Sequence, residues 1–211
     1  MTMPQGRDRL DWIYASKGNQ ELADRYDTWA EEYDDDVLRF GYKIPALVAG
    51  FTGRYQPAGD APILDAGAGT GIIGEVLAPL GYTNVHALDL SDGMLAVARR
   101  KGVYKELRQM ALGEHLDYPD HQFACVIASG VLSLGHAPPE SLDEMVRITA
   151  AGGSVIFSVR ADVYVDQGFK AKMDELEKAK RWVATERTDP FLTLPLAEPD
   201  LKHQVFAFRV S

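Results

Sequence analysis

The chain has 211 residues, of which 46% are hydrophobic and 25% charged, the balance of one ordinary globular domain with a sizeable core. Its 22 Lys and Arg against 31 Asp and Glu give a formal net charge of −9, which argues against nucleic acid as the main partner, because phosphate neutralisation needs a surplus of cations. A single cysteine, Cys125, excludes an intrachain disulfide, no Cys/His spacing of zinc type occurs, and the apolar runs fall short of a membrane span. The expectation is a cytoplasmic protein with neither membrane nor nucleic-acid partner.

The leading segment, "MTMPQGRDRLDWIYASKGNQ", is polar and charged and has no signal-peptide core. From Gln20 to Leu38, Leu22, Tyr26, Trp29 and Tyr33 recur at three-to-four spacing after Asn19 as a candidate N-cap, which predicts an amphipathic helix with an aromatic stripe. "IPALVAGFTGR" reads as a second helix opened by Pro45. The expected division is residues 1–55 as a helical extension or lid, and 56–211 as the core of the same structural domain.

Beyond the loop "YQPAGDAP" the texture alternates. "PILDA" reads as a strand and "TGIIGEVLAPLG" as a helix stopped by Gly81. "NVHALDL" is a strand, then "SDGMLAVARRKG" a helix capped by Ser91 and stopped by Gly102. "ELRQMA" is a short strand. "FACVIASG" and "GSVIFSVR" are apolar runs suited to central parallel strands buried on both faces. Between them lies the helix "PPESLDEMVRITA", with Leu142, Met145, Val146 and Thr149 on one side, and "GFKAKMDELEKAK" follows as a charged amphipathic helix. "RWVATERT" and "HQVFAFRV" have only a Pro-rich connection between them, so they should pair antiparallel. The prediction is an α/β fold: a doubly wound, seven-stranded, mostly parallel sheet with a C-terminal antiparallel hairpin and an N-terminal helical lid.

"ILDAGAGTGIIG" satisfies two fingerprints. From Gly69 it spells G-x-G-x-x-G, the dinucleotide turn; from Asp65 it spells D-x-G-x-G-x-G, the loop of S-adenosylmethionine (SAM) enzymes. Asp89, near the end of the next strand, serves the ribose in either frame. Asp65 separates them, because a carboxylate repels a pyrophosphate and suits the ammonium and sulfonium of SAM. Three alternating glycines in a mere tight turn would lose backbone entropy without return.

Further motifs extend the SAM frame. "LDLSDGMLAVAR" resembles the second-strand motif of class I SAM-dependent methyltransferases, and "AAGGSVIFSVR" resembles their turn into the fifth strand, with Ala150 and Ala151 where Lys and Pro are usual. "YDTWAEEYDDDV", "GYKIP", "GHAPPESLDEMVRI" and "FSVRADVYVDQGF" together resemble the methyltransferase-like group named after the Williams–Beuren region, over about Ile13 to Arg209. The resemblance implies a Rossmann-like methyltransferase fold with SAM as cofactor and S-adenosylhomocysteine (SAH) as product. It implies that Asp65, Gly67, Gly69 and Gly71 line the methionine end, that Asp89 takes the ribose hydroxyls, that Leu90 lies against the adenine, and that Met94 is also at the cofactor. Ser129 and Gly130 would flank the sulfonium. Many relatives place an Asp after the third strand, where this chain has Gln109 and Met110.

For the chemistry, His136 follows the fourth strand on the ligand-binding side of such sheets, and imidazole titrates in the range a general base needs; a loop-ordering role is the alternative. Tyr26 and Tyr33 are candidates to touch the sulfonium or carboxylate of SAM, Tyr33 also as a catalytic group. Trp29 is expected to pack against the sheet. Tyr14 and Tyr42 are secondary candidates for an acceptor pocket. His86, His115, His121 and His203 read as structural. "EEYDDD" reads as a solvated helix end, not a metal site, since adjacent acids on a helix diverge. The expected activity is methyl transfer to a small molecule by a monomer or homodimer. The alternatives are an NAD(P)-dependent oxidoreductase and a non-catalytic SAM-binding subunit.

Overall fold

The alternation of apolar runs and amphipathic helices resolves, in a computed structural model that describes residues 6–133 and 135–211, into one eight-stranded sheet with helices on both faces. The strands are β1 (Ile63–Ala66), β2 (Val85–Asp89), β3 (Glu106–Gln109), β4 (Phe123–Leu132), β5 (Thr149–Arg160), β6 (Trp182–Arg187), β7 (Phe191–Leu194) and β8 (Glu198–Val210). Their order is β3-β2-β1-β4-β5-β8-β6, with β7 also paired to β8. Strands β1 to β5 run parallel, and β8 is antiparallel to β5, β6 and β7. The chain winds outward from β1 through β2 and β3, then returns to place β4 on the other side of β1. The carboxyl ends of β1 and β4 therefore form the switch point where doubly wound sheets open a crevice.

Side chains along β1 and β4 alternate between two cores, as a two-residue period requires. Leu64, Val126 and Ala128 join the core on one face, while Ile63, Cys125 and Ile127 join that on the other, under helix α3 (Ile44–Tyr55). Each buried aliphatic side chain of this size stabilises the fold by about 1.5–3 kcal/mol. Cys125 sits inside β4, where burial pushes its thiol up to about 12, so it packs rather than reacts. At the antiparallel edge Trp182 stacks on Phe208 with ring centroids 3.9 Å apart.

Helix α2 (Asn19–Phe40) is longer than the hydrophobic spacing predicts and starts after Gly18, so Asn19 lies inside it rather than capping it. Its apolar stripe faces inward, and acids on another face tie it to helix α5 (Asp92–Lys101). Asp27 Oδ1 accepts from Ser91 Oγ (2.5 Å) and from Gly93 N (2.8 Å), Asp34 pairs with Lys101 (2.5 Å), and Glu31 pairs with Arg100 (2.7 Å). The helix thus lies across the carboxyl edge of the sheet. Ser91 caps α5 as read, accepting from Met94 N at 3.0 Å, and Gly102 ends it in a left-handed conformation. Helices α4 (Ile72–Leu77), α6 (Ser141–Ile148) and α7 (Phe169–Lys178) complete the two layers, and a 3-10 turn, Ala78–Leu80, leads from α4 to the stop at Gly81.

Three local readings change. A helix α1 (Arg7–Tyr14) precedes α2, in a stretch whose many charges hide a short apolar face of Leu10 and Ile13. β7 forms within the Pro-rich connection, since Phe191–Leu194 lies against β8 as an edge strand. Thr149 begins β5 instead of closing α6, although its hydroxyl still donates to Met145 O at 2.6 Å. The acidic run also departs from a solvated helix end. Asp36 is buried, paired to the buried Arg9, and accepts from Trp29 Nε1 at 2.9 Å. Trp29 accordingly packs between helices, within the cluster of Leu10, Ile13, Val37 and Leu194. No helix among the described residues is long and apolar enough to cross a membrane.

Candidate active site

The glycine loop is anchored to its neighbour strand by backbone hydrogen bonds. The amides of Gly67 and Ala68 both donate to Leu88 O at 2.9 Å, and that of Gly69 donates to Asp89 Oδ2 at 2.7 Å. Asp89 Oδ1 accepts from Ser91 N at 2.9 Å, so two backbone donors fix this carboxylate at the end of β2. Burial raises its pKa, and those same N–H groups oppose the shift. Gly67, Gly69 and Gly71 all take positive φ, but their empty Cβ positions face different surroundings. At Gly67 a Cβ would strike Val131 at 2.8 Å, and at Gly71 it would strike Tyr104 at 2.9 Å; at Gly69 it would meet nothing within 4 Å. Gly69 is the one of the three that exposes bare backbone to open space.

That space is a cleft of about 710 Å³, a figure that includes the open solvent at its mouth. Gly67, Gly69 and Asp89 form one wall. Leu90, Met94 and Met110, joined by Leu88, Ala111 and Leu112, supply an apolar slot. Ser129 and Gly130 of β4 close a second side, and Tyr26, Tyr33 and His136 cover the top. The buried Ser129 hydroxyl meets no protein group in hydrogen-bonding geometry, although its proximity to Tyr42 opposes slightly the rise that burial imposes on that phenol. Burial likewise raises the pKa of Tyr26 and Tyr33, keeping both phenols neutral.

The structure does not bring every candidate to the cleft. Asp65 is wholly buried behind the loop, its Oδ2 accepting from the Tyr104 hydroxyl at 2.6 Å while Oδ1 has no partner. Burial pushes its carboxyl up to about 7, against the pull of the Tyr104 hydrogen bond and with the help of Asp89. Gly71 opens α4 against Tyr104 and Ala98. Gln109 turns back to donate to Leu90 O at 3.0 Å. The carboxylate on the cleft wall is therefore Asp89, and no Lys or Arg lines the cleft among the described residues. A pyrophosphate would meet an acid and no cation here. An adenosyl group with a sulfonium and an ammonium fits better, with an apolar slot, a carboxylate for hydroxyls, bare backbone at Gly69 and two neutral tyrosines.

Comparison with known proteins agrees. A family model described as "Methyltransferase domain" matches residues 64–157. The human methyltransferase-like protein 27 is 33% identical over 190 residues, covering 86% of this chain and 76% of that protein. The chain belongs to the class I SAM-dependent methyltransferases. Demethylmenaquinone methyltransferase of Renibacterium salmoninarum is 33% identical over 146 residues, or 66% of this chain and 59% of that protein. Among solved structures, the cyclase SpnF aligns with a TM-score of 0.71 at 14% identity, covering 92% of this chain and 97% of that one, which speaks to the fold alone. SAM-dependent methyltransferases of other bacteria share that fold.

In this methyltransferase a second cavity, of about 520 Å³ including the solvent at its opening, adjoins the cleft beneath α1 and α2. Tyr26, Tyr33, Gly130 and His136 line both spaces. Gly130 sits at positive φ with its bare face against the Tyr42 hydroxyl, which lies 2.0 Å from where a Cβ would stand. His136 is held from two sides, Nε2 at 2.8 Å from the Tyr26 hydroxyl and Nδ1 at 3.2 Å from Ser133 Oγ. Tyr14 and Tyr42 line the second cavity only. So do Ser133, Thr193 and His203, while Arg160 lines it and also a surface recess beside Asp162 and Glu198; sequence reasoning did not single out these four as site residues. Periodicity reads His203 and Arg160 as ordinary strand positions, and it is their pairing across β5 and β8 that brings them together. Of the remaining histidines, His86 bonds Glu106 and Asn84, His121 bonds Thr149 O, and His115 pairs with Glu144 at the surface.

Proposed function

We propose that this enzyme methylates a small-molecule acceptor held in the second cavity, with SAM in the cleft and its reacting methyl at the wall the two spaces share. The observation that carries this reading is the set of four residues, Tyr26, Tyr33, Gly130 and His136, that faces both spaces. Bound SAM supplies an activated methyl group, so the protein's tasks are alignment, exclusion of water and, for an acidic acceptor atom, removal of a proton. Asp89 engages the ribose hydroxyls, Leu90, Met94 and Met110 enclose the adenine, and Gly67, Gly69 and Ser129 border the methionine portion. Asp65, Gly71 and Gln109 act one layer behind: the first two shape the loop, and Gln109 holds Leu90. Tyr33 orients the reacting centre. His136 is the base, reached through the Tyr26 hydroxyl on its Nε2, while Ser133 holds its Nδ1. Within the expected lid segment 1–55, α2 covers both spaces and α1 covers the second.

The second cavity lies beneath the N-terminal helices rather than on an open face, which suits a small acceptor, and the net charge of −9 disfavours a nucleic-acid one. The relative from Renibacterium salmoninarum carries the name of an enzyme with a small-molecule acceptor. Calorimetry with SAH and with NADH, followed by incubation with labelled SAM and a metabolite extract, tests the reading. SAH binding and label in a low-molecular-weight product are expected. Binding of NADH without SAH, or SAH binding with no labelled product, would overturn it.

A further inference from the structure

We infer that the acceptor is an organic acid whose carboxylate pairs with Arg160, leaving another atom of the molecule to receive the methyl. This rests on the reading that the second cavity holds the acceptor. Among the described residues lining that cavity, Arg160 is the one with a permanent formal charge; no Asp, Glu or Lys lines it. Tyr14, Tyr26, Tyr33 and Tyr42, also in the lining, stay neutral phenols because burial raises the pKa of each. His203, opposite Arg160 on β8, has its pKa pushed down to about 3 by burial and by the Arg160 charge, and its Nδ1 lies 2.7 Å from Thr193 Oγ1. A cavity whose lining holds one permanent cation and no acidic side chain favours an anion.

The guanidinium is half used. Its Nε and Nη2 donate to Asp162 at 2.8 Å each, while Nη1 is buried with no hydrogen-bond partner. A buried, unpaired N–H on a cation is a costly feature that a carboxylate removes. Asp162 is itself exposed and occupies the opposite edge of the fork, so it does not compete for Nη1. The Tyr14 ring covers the guanidinium, with 5.0 Å from Cζ to the ring centroid, and its hydroxyl is tied to Glu198 at 3.1 Å. The same ring lies 6.3 Å from that of His136. One aromatic side chain thus separates the cation from the proposed base. An acid anchored at Arg160 would run along Tyr14 and present its far end to Tyr33 and His136.

In that pose the carboxylate is held away from the methyl group. The nucleophilic atom at the far end forms the new bond to carbon, the carbon–sulfur bond breaks with its electron pair remaining on sulfur, and the proton displaced from an O–H or N–H nucleophile passes to the Tyr26 hydroxyl as that hydroxyl gives its own proton to His136 Nε2. The product keeps its carboxylate and its negative charge.

The test uses the full chain with methyl-labelled SAM and a metabolite extract, and separates labelled products by anion exchange at pH 8 before and after alkaline phosphatase. Label is expected in a product retained as an anion and unaffected by the phosphatase. Arg160→Met should lower labelling at limiting extract by about tenfold or more, the loss expected for a charge-assisted contact, with SAH affinity unchanged and partial recovery in Arg160→Lys. A labelled product that is neutral or cationic, or that loses retention with phosphatase, would overturn the inference. So would a folded, SAH-binding Arg160→Met enzyme that labels at the wild-type rate. Should Arg160→Met fail to fold, the charge of the wild-type product decides alone. Absence of any labelled product with SAH still bound strikes at the transfer reading itself, a different result from a product of the wrong charge.

Discussion

The two spaces that meet at Gly130 are built by different means. The cleft is mostly a product of consecutive backbone: a glycine turn, the end of β2 and the cap of α5, held by hydrogen bonds between residues at most a few tens of positions apart. The second cavity is a product of side chains from α1, α2, α3, β4, β5, β7 and β8, brought together by the whole fold. A backbone-built site depends on local geometry and serves one common ligand. A side-chain-built site can change its occupant with a few substitutions, as expected of the half that recognises an acceptor.

Substitutions can break or sharpen this contrast. The largest effect is expected at the shared wall. In Gly130→Ala, a Cβ at φ +77° would stand 2.0 Å from the Tyr42 hydroxyl, so turnover should fall below about 1% and stability by about 1–3 kcal/mol. Wild-type turnover in a melted-and-assayed sample would deny the wall its role. Next comes the base: His136→Gln should lower kcat by about 10²–10⁴ while SAH affinity stays within about threefold. An equal loss in both would move His136 to the cleft proper. Asp89→Ala removes the acceptor for Gly69 N and Ser91 N and should weaken SAH by about tenfold or more, measured by calorimetry. If it instead raised the KM for the acceptor at constant SAH affinity, the two spaces would have been assigned the wrong way round.

The smallest effect on catalysis is expected at Asp65, where the change falls on stability. Its folded-state pKa of about 7 lies above the ordinary carboxylate value, so the folded protein holds the proton more tightly than the unfolded chain. Its contribution is fully present below about pH 4 and is lost as pH rises to about 7, beyond which the penalty is constant. Asp65→Asn should therefore gain on wild type between pH 4 and pH 8, by an amount on the order of 1 kcal/mol or more in thermal unfolding. Parallel stability curves for the two proteins would show that Asp65 is not buried as a carboxyl.

The same contrast explains what was legible in advance. Alternating β and α runs, Ser91 as a cap and Gly102 as a stop are local signals, and the structure follows them. The glycine turn is legible too, but its charge pattern points to Asp65, whereas the carboxylate on the cleft wall belongs to Asp89. Sequence order cannot reveal that a strand's penultimate residue points behind its loop, toward a tyrosine 39 positions away. α1 and β7 went unread because each has only a few apolar residues, and their stability comes from tertiary packing. Arg160, Thr193 and His203 were illegible for a stronger reason. Nothing in their local patterns marks them, and they become a group only when β8 lies beside both β5 and β7.

A crystal structure of the protein with SAH bound tests the central claim most directly. The account predicts the ribose on Asp89, the adenine among Leu90, Met94 and Met110, and the sulfur at the wall formed by Tyr33, Gly130 and His136, facing the cavity that holds Arg160. An adenosyl group lying in that second cavity, or a sulfur pointing away from Gly130, would contradict it.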